Sequence, residues 1–308
     1  MKRSIWLTSL LLPGLIHAQS LDSSRLHPAL VTTAPLLGGV NVTSLITPIT
    51  ASGHTFTADQ SVVDFSTPLY KRFRRAHPVI FKAGFRYQGM FLSGEQNIGS
   101  SAFHSLAVPL SYTYVCSRTT NITFIAIGAV GSDFRRNPDA SDIMYTAGIR
   151  IGFNQNHAFK YGVTLAYVND YTGSYLIPVP DFDWTISKRW SFVAVLPLRA
   201  SLKYKLSHGQ FLGLTAGLSS GMYRLNADPE RKYLQWQQYS SGFLYEVNFS
   251  RRWALNLIVA RAFDQRLETF DDDQKASLYN FKAVSNRKRL VSYRENSFMA
   301  QGGISFKF

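Results

Sequence analysis

Six basic side chains, Lys82, Arg86, Arg150, Lys160, Arg199 and Lys203, fall on one face of extended segments whose residues alternate with period two. The same face carries three acids, Asp181, Asp183 and Glu246. If that face lines a water-filled interior, an excess of cations favours anions. If the interior is narrow, the same groups pair with one another and fill it. Residue type leaves both open. Asp181 and Asp183 are spaced to share a cation, although pairing with inward Lys or Arg is the commoner use of buried carboxylates. Asp271, Asp272 and Asp273 have the oxygen chemistry of a calcium site. Such a run is more often a solvated loop tip.

Hydrolysis needs a base and a nucleophile within hydrogen-bond reach. No His has an Asp or Glu within two positions. His104 and Ser105 are adjacent, so on a strand they point to opposite faces. The sequence therefore assigns no catalytic residue, and it carries no cofactor or metal motif. A hydrolase of lipid or peptide would have to gather its cluster across neighbouring strands.

The elements that must hold these side chains are strands. Tyr145, Ala147, Ile149, Ile151 and Phe153 alternate with Thr146, Gly148, Arg150, Gly152 and Asn154. After a short turn, Phe159, Tyr161, Val163, Leu165 and Tyr167 alternate with Lys160, Gly162, Thr164 and Ala166. That is a hairpin with one apolar face and one small or polar face. The pattern recurs in 79–91, 105–114, 198–206, 212–218, 242–249, 253–259 and 298–308. Five further segments, 38–48, 55–69, 120–130, 174–186 and 190–196, bring the count to about fourteen strands, or twelve. Connections are short at one end (71–75, 116–118, 155–157, 187–189, 207–209, 250–252). At the other end they are mostly longer (92–101, 131–142, 219–237, 264–296).

The front of the chain reads as an export signal. Lys2 and Arg3 precede an apolar stretch from Ile5 to Ile16, and Ala18 is a suitable last residue before a cut. Residues 1–18 are therefore expected to be removed, 19–35 to form a lead segment, and 36–308 to form one domain. Without Lys2 and Arg3 the net charge is +12. An exported chain rarely meets nucleic acid, so the charge belongs to interior, turns and loops. The single cysteine, Cys116, excludes an internal disulfide framework. No later apolar run approaches the ~20 residues of a spanning helix.

Alternation alone does not say which face meets water. Three features favour an apolar face turned to lipid. The polar face is rich in Gly, Ser, Thr and Ala. Aromatics gather beside the short turns: Tyr112, Tyr114, Phe159, Trp190, Tyr204, Phe249, Trp253, Phe306 and Phe308. No segment is left over for a second layer. A bilayer forbids open sheet edges, so the last strand must pair with the first.

With its export signal, amphipathic strands and last strand ending in Phe, the chain resembles Gram-negative outer-membrane β-barrel proteins, in an uncharacterised family of them. The resemblance implies an all-β, antiparallel up-and-down transmembrane barrel located in the outer membrane. It also implies that Gly302, Ile304, Phe306 and Phe308 form the signal read by the barrel-assembly machinery. Outer-membrane lipids are the other expected partner, and small anions the expected cargo if the lumen conducts. The function expected is a passive pore or structural barrel without enzymatic activity. Its rivals are a barrel hydrolase and a secreted soluble β-sandwich binding module, which carbonate would extract from the membrane.

Overall fold

The computed structural model describes residues 38–51, 54–73, 77–95, 97–156, 158–226, 231–272 and 287–308. The expected signal and lead segments, 1–18 and 19–35, lie outside the described residues. Fourteen strands follow one another: β1 (Gly39–Ala51), β2 (His54–Arg72), β3 (Val79–Ser93), β4 (Ala102–Val115), β5 (Thr120–Ser132), β6 (Ile143–Asn154) and β7 (Phe159–Asp170), then β8 (Gly173–Thr185), β9 (Trp190–Val195), β10 (Arg199–Ser207), β11 (Gln210–Leu225), β12 (Lys232–Asn248), β13 (Trp253–Asp271) and β14 (Val291–Lys307). Each pairs antiparallel with its chain neighbours, and β1 pairs with β14 from Gly39↔Lys307 to Ile46↔Ala300, closing the barrel.

Every strand turns at least one large apolar side chain to the outside, among them Ile46, Phe124, Leu165, Phe243 and Phe298. Phe243 and Phe298 are 67% and 70% exposed, which a soluble sandwich would not tolerate around its whole girth. An apolar outer band on a closed sheet is the arrangement a bilayer requires.

The short turns share a local design. In 117–120, 156–159, 187–190 and 250–253, a leading Ser or Asn side chain accepts hydrogen bonds from the backbone N–H groups two and three residues on. Such side-chain turns hold a tight reversal without glycine. Between β10 and β11 the turn instead uses Gly209 at φ 87°. Three of the four side-chain turns end on Phe159, Trp190 or Trp253, and these rings join a belt at this end. Phe153, Tyr161, Phe159 and Trp184 touch in series, Trp190 meets Tyr204, and Phe249, Trp253, Phe306, Phe308 and Phe65 form another series.

At the other end the described residues of the expected loops 219–237 and 264–296 are largely strand, a correction to the sequence reading. β11 runs on to Leu225, β12 begins at Lys232, β13 reaches Asp271 and β14 begins at Val291. The cause is an inverted face. Along β12, Tyr245, Phe243 and Tyr239 point out, whereas further up Trp236 and Leu234 point in, and Gln237 and Gln235 point out. Above the lipid band the outside meets water, so the apolar side chains turn inward. A pattern that changes phase reads as a break.

Those inward side chains form a packed core: Ile49, Phe56, Met90, Leu92, Phe103, Tyr223, Leu225, Leu234, Trp236 and Leu267, with Ala58 and Ile98. Each large side chain so buried contributes about 1.5–3 kcal/mol. The core fills the barrel beneath β1–β4 and β11–β14 at the loop end.

Candidate functional site: the lumen and its seam

At mid-height the inner wall carries ion pairs. Arg150 in β6 reaches Asp181 in β8 with two hydrogen bonds, 2.7 Å from Nε and 2.6 Å from Nη2, and a third goes from Nη1 to Asn121 at 3.2 Å. A two-pronged guanidinium–carboxylate contact is the stronger kind of charged pair. A Cβ at Gly152 or Gly162 would overlap the Arg150 guanidinium, so these glycines make its berth. Lys203 meets Glu246 at 2.5 Å, and Arg86 meets Asp64 at 3.4 Å.

All six expected cations face inward, and Arg86, Arg150 and Lys203 make the pairs just described. They do not form one cluster, and the pairs occupy separate parts of the wall. Asp64 is an inward acid that the sequence reading did not count. It sits opposite Arg86 in the β2–β3 ladder. Lys160 and Asp183 are opposed across β7 and β8 and make no ion pair among the described residues. Lys82 and Arg199 complete the inward set, and Arg199 lies within the field of Asp64. The outward row Gly302, Ile304, Phe306 and Phe308 ends against Trp253 and Phe65. Asp271 ends β13, Asp272 pairs with Arg224 at 3.2 Å, and Asp273 lies outside the described residues. His104 contacts Tyr87 at 2.8 Å on the outer face, away from Ser105.

Above Arg150 and Asp181 the inner wall changes character. Ile125 and Ile127 of β5 and Ile177 and Val179 of β8 share the inward face there, and Val195 and Val193 of β9 continue it opposite Asp181 and Asp183. All six are half-buried, so they line space instead of packing shut. The sequence reading did not select them. Their signal is the loss of alternation, with apolar residues on both faces.

A seam crosses the barrel at the loop end. β5 meets β11 in a parallel contact at Ser132↔Arg224, with Asp133 N–H donating to the Arg224 carbonyl at 3.0 Å. Asn226 adds hydrogen bonds to Asp133 and Ser132. Gly131 is pressed against the Met222 carbonyl, where a Cβ would not fit. The seam leaves β6–β10 on one side and β12–β14 with β1–β4 on the other.

Beside it, buried Arg224 pairs with Asp142 at 2.9 Å and lies 4.4 Å over the ring of Tyr171 in the β7–β8 turn. The Tyr171 hydroxyl donates to the carbonyls of Gly131 and Asp142, both at 2.9 Å. Burial, and then the Asp142 charge, push this phenol well above the usual range, with Arg224 opposing. Exposed Asp139 is held below the usual carboxylate range by hydrogen bonds from the Ser141 hydroxyl and backbone.

A closed, lipid-clad sheet around a partly polar lumen defines a transmembrane β-barrel. The chain belongs to the family described as a domain of unknown function, DUF6268, which it matches over residues 94–306. No curated protein matches it. Solved structures of similar form include an outer membrane channel from Pseudomonas putida F1, at 9% identity over 88% of this chain and 96% of that one, TM-score 0.38. The P. putida toluene transporter TodX is also similar, at 9% identity over 92% of each chain, TM-score 0.36. Likeness at these values carries no argument about function, and the barrel rests on its own ladder.

Proposed function

We propose that this barrel sits in the outer membrane of a Gram-negative cell and is a passive channel for small solutes. The observation that carries this reading is water access inside a closed wall. The side chains of Arg86 and Asp64 are 51% and 41% exposed while facing the lumen. The packed core and the seam confine any passage at the loop end to the side of β6–β10. Pairing cancels much of the cationic excess, so the ion preference is a modest one for anions, with Lys160 contributing. The reading assigns no catalytic step. It includes, from the resemblance, recognition of Gly302, Ile304, Phe306 and Phe308 by the barrel-assembly machinery.

Conductance across a planar bilayer with a salt gradient tests it. Small, stable steps with anion preference, reduced in Lys160→Gln, are expected. Silence from protein shown to be folded by its heat-modifiable mobility would overturn the channel.

A further inference from the structure

The ladder of the wall is interrupted above the lipid-facing ends of β9 and β10. β8 pairs with β9 only from Asp181↔Val195 to Thr185↔Ser191. β10 pairs with β11 no higher than Arg199↔Gly217, and one more bond runs from Leu218 N–H to the Leu198 carbonyl. β9 has six residues, against the ~9–11 that a membrane-crossing strand needs. Its turn to β10, Leu196–Pro197–Leu198, is wholly apolar, with Leu196 and Leu198 exposed to the outside. This turn therefore belongs to the lipid-facing band, unlike the polar short turns 116–118, 187–189, 207–209 and 250–252.

At the level of this turn β9 and β10 hold β8 and β11 three strand spacings apart, ~14 Å, and higher up β11 leans toward β5. The gap rises along β8 from Pro180 to Ser174, about 20 Å of strand. Tyr171 and Arg224 bridge its top, so the opening is a window with four sides. A second interruption, between β1 and β14 above Ile46↔Ala300, is filled instead: Phe56 packs on Tyr293 with ring centroids 5.0 Å apart, and Asn97 hydrogen-bonds the Tyr293 hydroxyl.

Near Leu196 the edge of β8 is poor in backbone donors, which limits what an open edge costs in a bilayer. The Pro180 carbonyl accepts from Leu196 N–H, so even-numbered residues of β8 present their backbone to the gap. At 178 and 180 those residues are prolines, which have no N–H to leave unsatisfied in hydrocarbon. The same prolines block addition of a strand from a second copy. Outward along this edge stand Leu176 and Pro178, both exposed. Inward stand Ile177 and Val179, with Val193 and Val195 just inside the sill. Across the window β11 turns only Gly217, Ser219 and Gly221 inward; the Tyr223 ring lies over Gly221, and room for a further side chain remains beside Gly217.

We propose that this window is a lateral portal through which a small, uncharged apolar solute, ring- or alkyl-sized, passes between the hydrocarbon and the apolar inner wall above Arg150–Asp181. The solute class follows from continuity of the opening with the lipid-facing band, the apolar character of Ile125, Ile127, Ile177 and Val179 above the Arg150–Asp181 pair, and the width at the sill. The inference deepens the channel reading and rests on it for onward passage.

The test is photolabelling of the full-length barrel in phospholipid vesicles with 3-trifluoromethyl-3-phenyldiazirine, a small lipid-soluble carbene precursor, mapped by mass spectrometry. Inward Ile177, Val179, Val193 and Val195 are expected to label along with outward Leu165 and Phe243, while inward Ile258 on the far wall does not. In Val195→Trp, which fills the sill, label at Ile177 and Val179 is lost and outward label persists. Label confined to outward residues overturns the portal. A phospholipid with a photoreactive acyl chain separates the two hydrocarbon sources; chamber label from it alone would overturn the small-solute assignment. Labelling reads entry and conductance reads passage. Chamber label in a silent barrel removes the channel and keeps the portal, and conduction without chamber label does the reverse.

Discussion

Gly131 of β5 lies against the carbonyl oxygen of Met222 in β11, with no room between them for a Cβ. Two strands from opposite parts of the wall meet here because one residue has no side chain. Gly131→Val should part the seam, at a cost of about 1–3 kcal/mol from overpacking. Single-channel conductance should rise. Gly128→Val, where an added Cβ meets nothing within 4 Å, should change neither conductance nor stability.

Arg150 and Asp181 are both buried, so removing one partner strands the other's charge. Arg150→Ala should destabilise the barrel by about 3–5 kcal/mol. Arg150→Met combined with Asp181→Leu should recover most of that loss, because a buried pair is worth little over apolar side chains of similar size. Urea unfolding of the two variants decides it. Equal loss in both would mean that the pair has a role beyond satisfying its own charges.

The loop-end core should be separable from the membrane band. Trp236 is 2% exposed and central to that core. Trp236→Ala should cost about 3–5 kcal/mol. Amide exchange should quicken in 219–225, 232–238 and 265–271, while 242–248 and 253–260 stay protected by the lipid-facing ladder.

Alkaline pH should loosen the seam. The buried Tyr171 phenol keeps its proton above the range where a tyrosine of the unfolded chain, near 10, loses it. A folded value raised above the unfolded one adds stability that is complete below pH about 10 and is lost as pH rises through the folded value. Stability should therefore fall above pH about 10, and Tyr171→Phe should show a smaller fall, starting from a lower base because two hydrogen bonds are gone. A stability–pH curve for both proteins checks the slope.

Cys116 follows β4 at the start of a short turn, and short turns of outer-membrane barrels face the periplasm. In intact cells a membrane-impermeant maleimide should not reach it, and permeabilising the outer membrane should expose it. Reaction in intact cells would reverse the orientation.

The strands with clean alternation, such as β6 and β7, were legible because each of their faces meets one solvent. β5, β8 and β9 were harder to read. Their segments, Ile122–Val130, Tyr175–Pro180 and Phe192–Leu196, are apolar on both faces, since one face meets lipid and the other lines the apolar inner wall. The upper reaches of β11 to β14 were misread as loops because their apolar face reverses above the membrane. The charges were placed on the correct face, but their pairing was not, since Asp64 becomes the partner of Arg86 only through the β2–β3 register.

Local patterning thus carried the strand count, the closed antiparallel sheet and the lipid-facing side, because a side-chain period of two and the bilayer's intolerance of open edges act on each segment alone. The short β9 and β10 were legible too, as 190–196 and 198–206, whereas the seam and the contacts that flank it belong to another order of information. They depend on which strands outlast their neighbours and lean across the lumen. That is settled by contacts such as Gly131 with Met222 and Tyr171 with Arg224, between residues remote in the chain, which no local period records.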